Sequence, residues 1–413
     1  MAPSTSLRDK VSFQDIVERV KTNQTNPFTI AFPFRRSSQH AIDFTHSPVR
    51  FLLQSLQWTA LFWTVPSTVL NNVLSSFNLV LILVHFAYII ALCQSIFNSK
   101  PLPPFSSSLP SFSAKLQLVV TLISLWLLFR LRSLSPRLLA ESTDCLAGNP
   151  QFSKRKRRIL RYCSIVFTLI SISIPLLLTF LHFASSFSSS TYTSAALRCG
   201  SFCVILESSL TFLVSTISLL SMSLIAILLL SDRLEASELV RDIKRCTGGS
   251  HVDPLIFRYQ SLETCVVGAE SLLSASLLVV PSLTAVVIFF SYRFLINDFQ
   301  SRDFPYLSHS FLALITLIIV AASLIALTSS LNGQLSRFRD AARRMADLQQ
   351  FAFTPTQMIR LLLFTLRLTD NRLVLTAGSI CVVNRQNLLI ISLLLSVLFV
   401  SIQSIKEGCI RVV

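Results

Sequence analysis

Apolar residues run along this chain in blocks of about 20, divided by polar stretches rich in arginine. A helix of about 20 mainly apolar residues crosses a hydrocarbon core of roughly 30 Å and satisfies its own backbone polar groups. Seven blocks are long enough. They are Ser76–Phe97, Phe112–Phe129, Tyr162–Phe183, Phe202–Leu230, Ala269–Phe290, Ser310–Thr328 and Asn387–Ile405. The pattern predicts an all-α, polytopic membrane protein with seven transmembrane helices. Pro175 and Pro281 interrupt two of the blocks. Both are tolerable in a bundle, where neighbouring groups re-satisfy the freed carbonyl. An eighth apolar stretch, Phe51–Leu70, carries Gln54, Gln57, Trp58, Trp63 and Pro66. Tryptophan suits the headgroup region, so this stretch is expected to be an interfacial or re-entrant helix ahead of the first span.

The loops set the orientation. The segment before Ser76 and the loops between spans two and three, four and five, and six and seven hold 29 of the 36 basic residues. Basic residues concentrate on the cytoplasmic side. The N-terminus is therefore expected in the cytoplasm and the C-terminus, after seven spans, outside. Counting Phe51–Leu70 as a span would weaken that bias. The expected organisation is a cytoplasmic segment 1–75 and a body of six spans over 76–386. The seventh helix over 387–405 and a short extracellular tail over 406–413 follow. Cytoplasmic helical regions are expected at 133–161, 232–268 and 331–386. Within them, Asp232–Cys246 spaces Leu234, Ala236, Leu239 and Ile243 at helical intervals before Gly248-Gly249 breaks the pattern. Gln334–Phe351 reads as a basic amphipathic helix, and Thr354-Pro355-Thr356 starts another over Gln357–Leu368. These helices either pack into a compact domain or lie on anionic lipid. The sequon at Asn23 falls on the cytoplasmic side and is expected to stay unmodified.

Composition agrees with a chain dissolved in lipid. Hydrophobic residues make up 52% and charged residues 14%, with mean hydropathy +0.63; soluble domains carry about 25% charged residues. The net charge of +16 sits between apolar runs, so its role is topological and no nucleic-acid partner is expected. No cleavable signal peptide is expected ahead of the first span, because the first fifty residues are polar and mixed in charge. The nine cysteines have no metal-ligand spacing. There is no Ser/His/Asp arrangement, no GxGxxG and no P-loop. Neither an enzyme, a metal nor a cofactor is expected.

Two groups of residues carry candidate chemistry. Glu207 is an acid inside the outer half of span four, and an intramembrane carboxylate is a functional candidate by default. His182 ends span three on the same side, Tyr292 ends span five, and Tyr306 and His309 precede span six. Together they are candidates to line an outward-facing small-molecule pocket with aromatic walls. The alternative is an interfacial Glu207 bonded to a nearby serine. His85 in span one reads as a packing residue. In span seven, Ser392, Ser396, Phe399 and Gln403 share one face, within about 60° of arc on a 3.6-residue helix. A polar stripe in a membrane helix faces protein or water. In a pore, its hydroxyls and amide would replace part of an ion's hydration shell, and Phe399 or Val400 would close the path by dewetting. In a plain interface, the same residues bond across helices.

The C-terminal stretch resembles the insect gustatory receptor family and its wider relatives. Ala377-Gly378-Ser379-Ile380-Cys381-Val382-Val383-Asn384-Arg385 leads into span seven, as that family's small-residue turn leads into its last helix. The family's helix carries Thr-Tyr, five mostly apolar residues, then Gln-Phe. Here Ser396 stands for Thr, Val397 for Tyr and Ser404 for Phe, while Gln403 is kept. Length, span number and orientation match as well. The resemblance implies a tetrameric, ligand-gated, cation-permeable channel, as a homo- or hetero-tetramer. Its pore would be lined by the seventh helix, its subunits held by a cytoplasmic anchor, and its small-molecule ligand, such as a tastant, bound among spans two to six. The competing classes are a seven-helix G-protein-coupled receptor and a transporter. The first has the opposite orientation, and its usual Asp-Arg-Tyr and Asn-Pro-x-x-Tyr marks are missing from their places.

Overall fold

In the computed structural model the described residues are 49–58, 154–188, 201–245, 252–298, 304–348, 354–370, 373–377, 381–384 and 386–387, with isolated positions between Ser76 and Ile90. The elements are α1 (Arg50–Trp58), α2 (Lys154–Ser188), α3 (Ser201–Arg245), α4 (Val252–Asp298), α5 (Phe304–Leu348) and α6 (Pro355–Asp370). Two short antiparallel strands follow, β1 (Thr376–Ala377) and β2 (Cys381–Val382). The expected all-α, polytopic membrane architecture holds. Among the described residues, three helices are long and apolar enough to cross a membrane: α2, α3 and α5. In α4 the described apolar part is the shorter Leu273–Ser282. The isolated positions within span one are helical. Span two, and span seven beyond Asn387, lie outside the described residues.

The long helices outrun any bilayer. α3 and α5 have 45 residues each and α4 has 47. At 1.5 Å per residue that is about 70 Å, against a hydrocarbon core of roughly 30 Å. The amphipathic segment Asp232–Arg245 is therefore a direct continuation of span four, and the basic segment from Gln334 a continuation of span six. Pro175 and Pro281 both stay inside their helices, as expected for a packed bundle.

α3 is the central rod. In its most apolar window 67% of the residues are buried, against 28% in α2 and 33% in α5. The exposed apolar side chains of α2 (Val166, Leu169, Leu176 and Phe180) recur at helical spacing and mark a lipid-facing stripe. Hydroxyl side chains do not break these spans, because they bond back to their own helix: Thr168 to the Ser164 carbonyl, Ser221 to Ile217, Thr284 to Val280 and Thr316 to Leu312, at 2.7–2.8 Å. Ser171 of α2 and Ser223 of α3 meet at 2.8 Å and fix the antiparallel register of that pair.

The start of Phe51–Leu70 is α1, which docks on the bundle. Val49, Leu52, Leu53 and Leu56 are buried in the main core, and α1 packs on α2 and α3. Residues 59–70 lie outside the described part.

Candidate functional site

Helix directions follow from the contacts. The start of α2 meets the end of α3 through Lys156 and Glu235, and the start of α4 meets the end of α5 through Tyr259 and Phe338. The end of α2 meets the start of α5 through His182 and His309. The bundle thus has a basic end, where α2 and α4 begin and α3 and α5 finish, and a far end. Arg158, Arg161, Arg241, Arg258, Arg343 and Arg367 of α2 to α6 belong to the basic end, while Arg293 lies near the opposite end of α4. That is the segregation expected from the loops.

At the basic end the helices pack on one another. Tyr259 stacks on Phe338 with ring centroids 5.1 Å apart, and Phe364 of α6 sets its edge against Tyr259 at 5.4 Å. Leu239, Ile243, Leu255, Leu335, Leu361 and Leu368 are buried in the same core. Thr354 and Gln357 start α6 with a reciprocal capping box. Each side chain accepts from the other's backbone N–H, at 3.4 and 3.2 Å, and Pro355 takes the first helical position. Outside the aromatic core, Arg360 pairs with Asp253 and Arg367 with Glu263, tying α6 to α4.

A charge cluster joins three helices there. Glu235 faces both the buried ammonium of Lys156 and the guanidinium of Arg258, whose Nη2 lies 2.8 Å from the carboxylate. Arg258 also donates to Asp242 at 2.5 Å. Glu235 lies beyond Leu230, where the apolar run of α3 ends. Burial alone would raise its carboxyl, but the charges of Lys156 and Arg258 hold it below the ordinary value. Arg258 is desolvated yet held above its ordinary value by Glu235 and Asp242. Burial, with Glu263 nearby, pushes the Tyr259 phenol up to about 12.

The same end holds the segment leading into span seven. Asn332 of α5 is buried and binds the two-stranded turn on both sides. Its amide donates to the carbonyls of Leu375 (3.0 Å) and Val383 (2.8 Å), and its carbonyl oxygen accepts from the Leu375 N–H (2.9 Å). Val383 N–H donates to the Leu375 carbonyl at 3.3 Å. Asn387 donates its side-chain amide to the Val382 carbonyl and its backbone N–H to Asn384 Oδ1, opening the last helix. Sequence reasoning missed Asn332. An asparagine among the polar residues just past an apolar run was the signal, and it points to no partner by itself.

At the far end, two of the five pocket residues expected from the sequence come together. His182 and His309 are both buried, at 1% and 4% exposed, with ring centroids 5.5 Å apart. They sit 127 positions apart in the chain. The antiparallel register of α2 and α3 sets His182 level with the turn of α3 that carries Ser208 and Thr211. Those two hydroxyls are buried with no hydrogen-bond partner among the described residues. An orphaned buried hydroxyl costs about 1–3 kcal/mol, so a polar guest or water there would be stabilising. Glu207, Tyr292 and Tyr306 lie on α3, α4 and α5, and their side chains fall outside the described residues. So do Ser392, Ser396, Phe399, Val400 and Gln403 of the expected pore face.

These observations define a bundle of helices long and apolar enough to cross a membrane, whose polar extensions pack together at one end. No known family model matches the sequence, and no curated protein matches it either. Solved structures do match. The insect olfactory receptor OR5 from Machilis hrabei superposes with a TM-score of 0.64 at 11% identity, over 86% of this chain and 97% of that one. The same receptor in complex with eugenol gives 0.62 at 11% identity, with the same coverage. The chain therefore shares its fold with that insect olfactory receptor.

Proposed function

We propose that this protein is a chemosensory receptor of the gustatory type that works as a ligand-gated, non-selective cation channel in the cell membrane. The observation that carries the reading is the olfactory-receptor fold over 86% of the chain, including a receptor that holds a small organic molecule. The resemblance of the last span to gustatory receptors, with Gln403 kept, supports the finer assignment. In this reading the basic end faces the cytoplasm, with the N-terminus inside and the C-terminus outside. The ligand enters from outside into the far end, against His182, His309, Glu207, Tyr292 and Tyr306. Its polar group meets the imidazoles and the α3 hydroxyls, and its apolar body fills the aromatic remainder. The seventh helix lines the pore through Ser392, Ser396, Phe399, Val400 and Gln403. With no carboxylate on that face, selectivity among cations is loose.

A tetramer, homomeric or heteromeric, fits the apolar stripe on α6. Ile359, Leu362, Leu363 and Leu366 are exposed on a helix of the basic end, while Leu361, Phe364 and Leu368 are buried on its other face. An exposed apolar stripe outside the bilayer is a natural subunit contact. Membrane lipid covers the outward stripe of α2.

The test is expression in an otherwise silent cell, with patch recording under a panel of small molecules. Ligand-evoked cation current without nucleotide exchange is expected. Replacing Gln403 by Ala is expected to change ion preference or rectification; unchanged permeation would remove it from the pore.

A further inference from the structure

We infer that Asn332 is the positioning residue that couples the far end of α5 to the segment entering span seven. The inference rests on the channel reading above and adds a route by which a ligand at the far end acts on the base of the pore-lining helix.

α5 carries His309 near its beginning and Asn332 in its interior. They are 23 positions apart, about 35 Å of continuous helix, a rod able to pass on a tilt or shift of its outer end. Asn332 lies just past Ser310–Thr328, at the level where α5 leaves the apolar run. It is 8% exposed and takes hold of backbone on both sides of the turn, Leu375 before it and Val383 after it. Backbone groups hold their place whatever side chains surround them, so these three bonds fix direction as well as distance. Val383 lies four residues before Asn387, where the seventh apolar run begins. Asn387 itself bonds to Val382 and Asn384, so the hold on the turn passes into the first turn of that helix.

Leu375, Ala377 and Val383 are also buried in the core. Apolar contacts of this kind keep the turn near the bundle but permit sliding. The amide does not. A side chain with a donor pair and an acceptor is required, because the three partners are two carbonyls and one N–H. An aspartate would still accept from Leu375 N–H but would set its charge against two carbonyl oxygens.

The experiment compares the wild type with Asn332→Ala and Asn332→Asp, using each panel compound that opens the wild type. Both substitutions are expected to raise the half-maximal concentration about tenfold and to lower maximal open probability, with unitary conductance unchanged. Hydrogen exchange on the purified protein is read alongside: the amides of 373–384 are expected to exchange at least tenfold faster in Asn332→Ala, with those of α2 unchanged. If the variants only reduce the number of channels, with half-maximal concentration and open probability as in the wild type, the inference is overturned and Asn332 is a folding residue. A wild type silent to the whole panel defeats the channel reading instead. The exchange measurement then still judges the tie: an unchanged turn overturns it, and a loosened one upholds it.

Discussion

The two ends of the bundle are built on opposite terms. At the basic end, aromatic stacking joins α4, α5 and α6, a charge cluster joins α2, α3 and α4, and an amide clamp ties α5 to the segment entering span seven. At the far end, two imidazoles touch and nearby hydroxyls of α3 are left without partners among the described residues. The first arrangement resists movement, because its stacked rings, paired charges and amide clamp meet specific complements, although Arg339 Nε and Thr376 Oγ1 there have no hydrogen-bond partner among the described residues. The second holds polar groups in reserve for something else. In the proposed receptor the first would serve as a fixed frame and the second as a site whose interactions are completed by its ligand.

The largest effect expected from breaking this contrast is at Phe338, which is 1% exposed and contacts both Tyr259 and Phe364. Phe338→Ala should cost about 3–5 kcal/mol, seen as a large drop in the unfolding temperature of detergent-purified protein. Retained stability would mean that the aromatic core does not hold the basic end together.

Next comes Glu235→Gln, which removes the carboxylate shared by Lys156 and Arg258 and should cost about 3 kcal/mol. Its pH dependence has a definite sign. The folded carboxyl titrates below its ordinary value, so its stabilisation is present above that value and is lost as pH falls through the depressed one. Wild type should therefore lose stability towards acid more steeply than Glu235→Gln in thermal melts across pH. Parallel curves would show that the cluster does not contribute.

The smallest change in stability is expected at the far end. His182→Phe and His309→Phe keep a flat ring in each position and should shift stability by less than about 1.5 kcal/mol. Their effect should appear in the response to the compound panel, as lost or altered ligands. A large loss of stability with an unchanged response would reverse the contrast, making the histidine pair a structural contact.

Much of the framework was legible in the chain. Blocks such as Tyr162–Phe183 and Ser310–Thr328 must be helices, because lipid offers their backbone no other partner. Among the described residues, Arg158, Arg258 and Arg343 fell at one end, as the charge distribution suggested. Thr354-Pro355 and Gln357 announced the start of α6, since a capping box is made by residues three apart. All of these are local signals, or sums over short windows.

What the chain alone left undecided depended on residues far apart. Nothing in the spacing paired His182 with His309 and left Ser208 at the same level, because three helices first had to choose their neighbours and register. The same holds for Glu235 between Lys156 and Arg258, and for Asn332, whose partners lie 43 and 51 positions away. A helix's existence is set by its own backbone and the solvent around it. Which polar groups then meet is set by packing between helices, and only the tertiary structure contains that information.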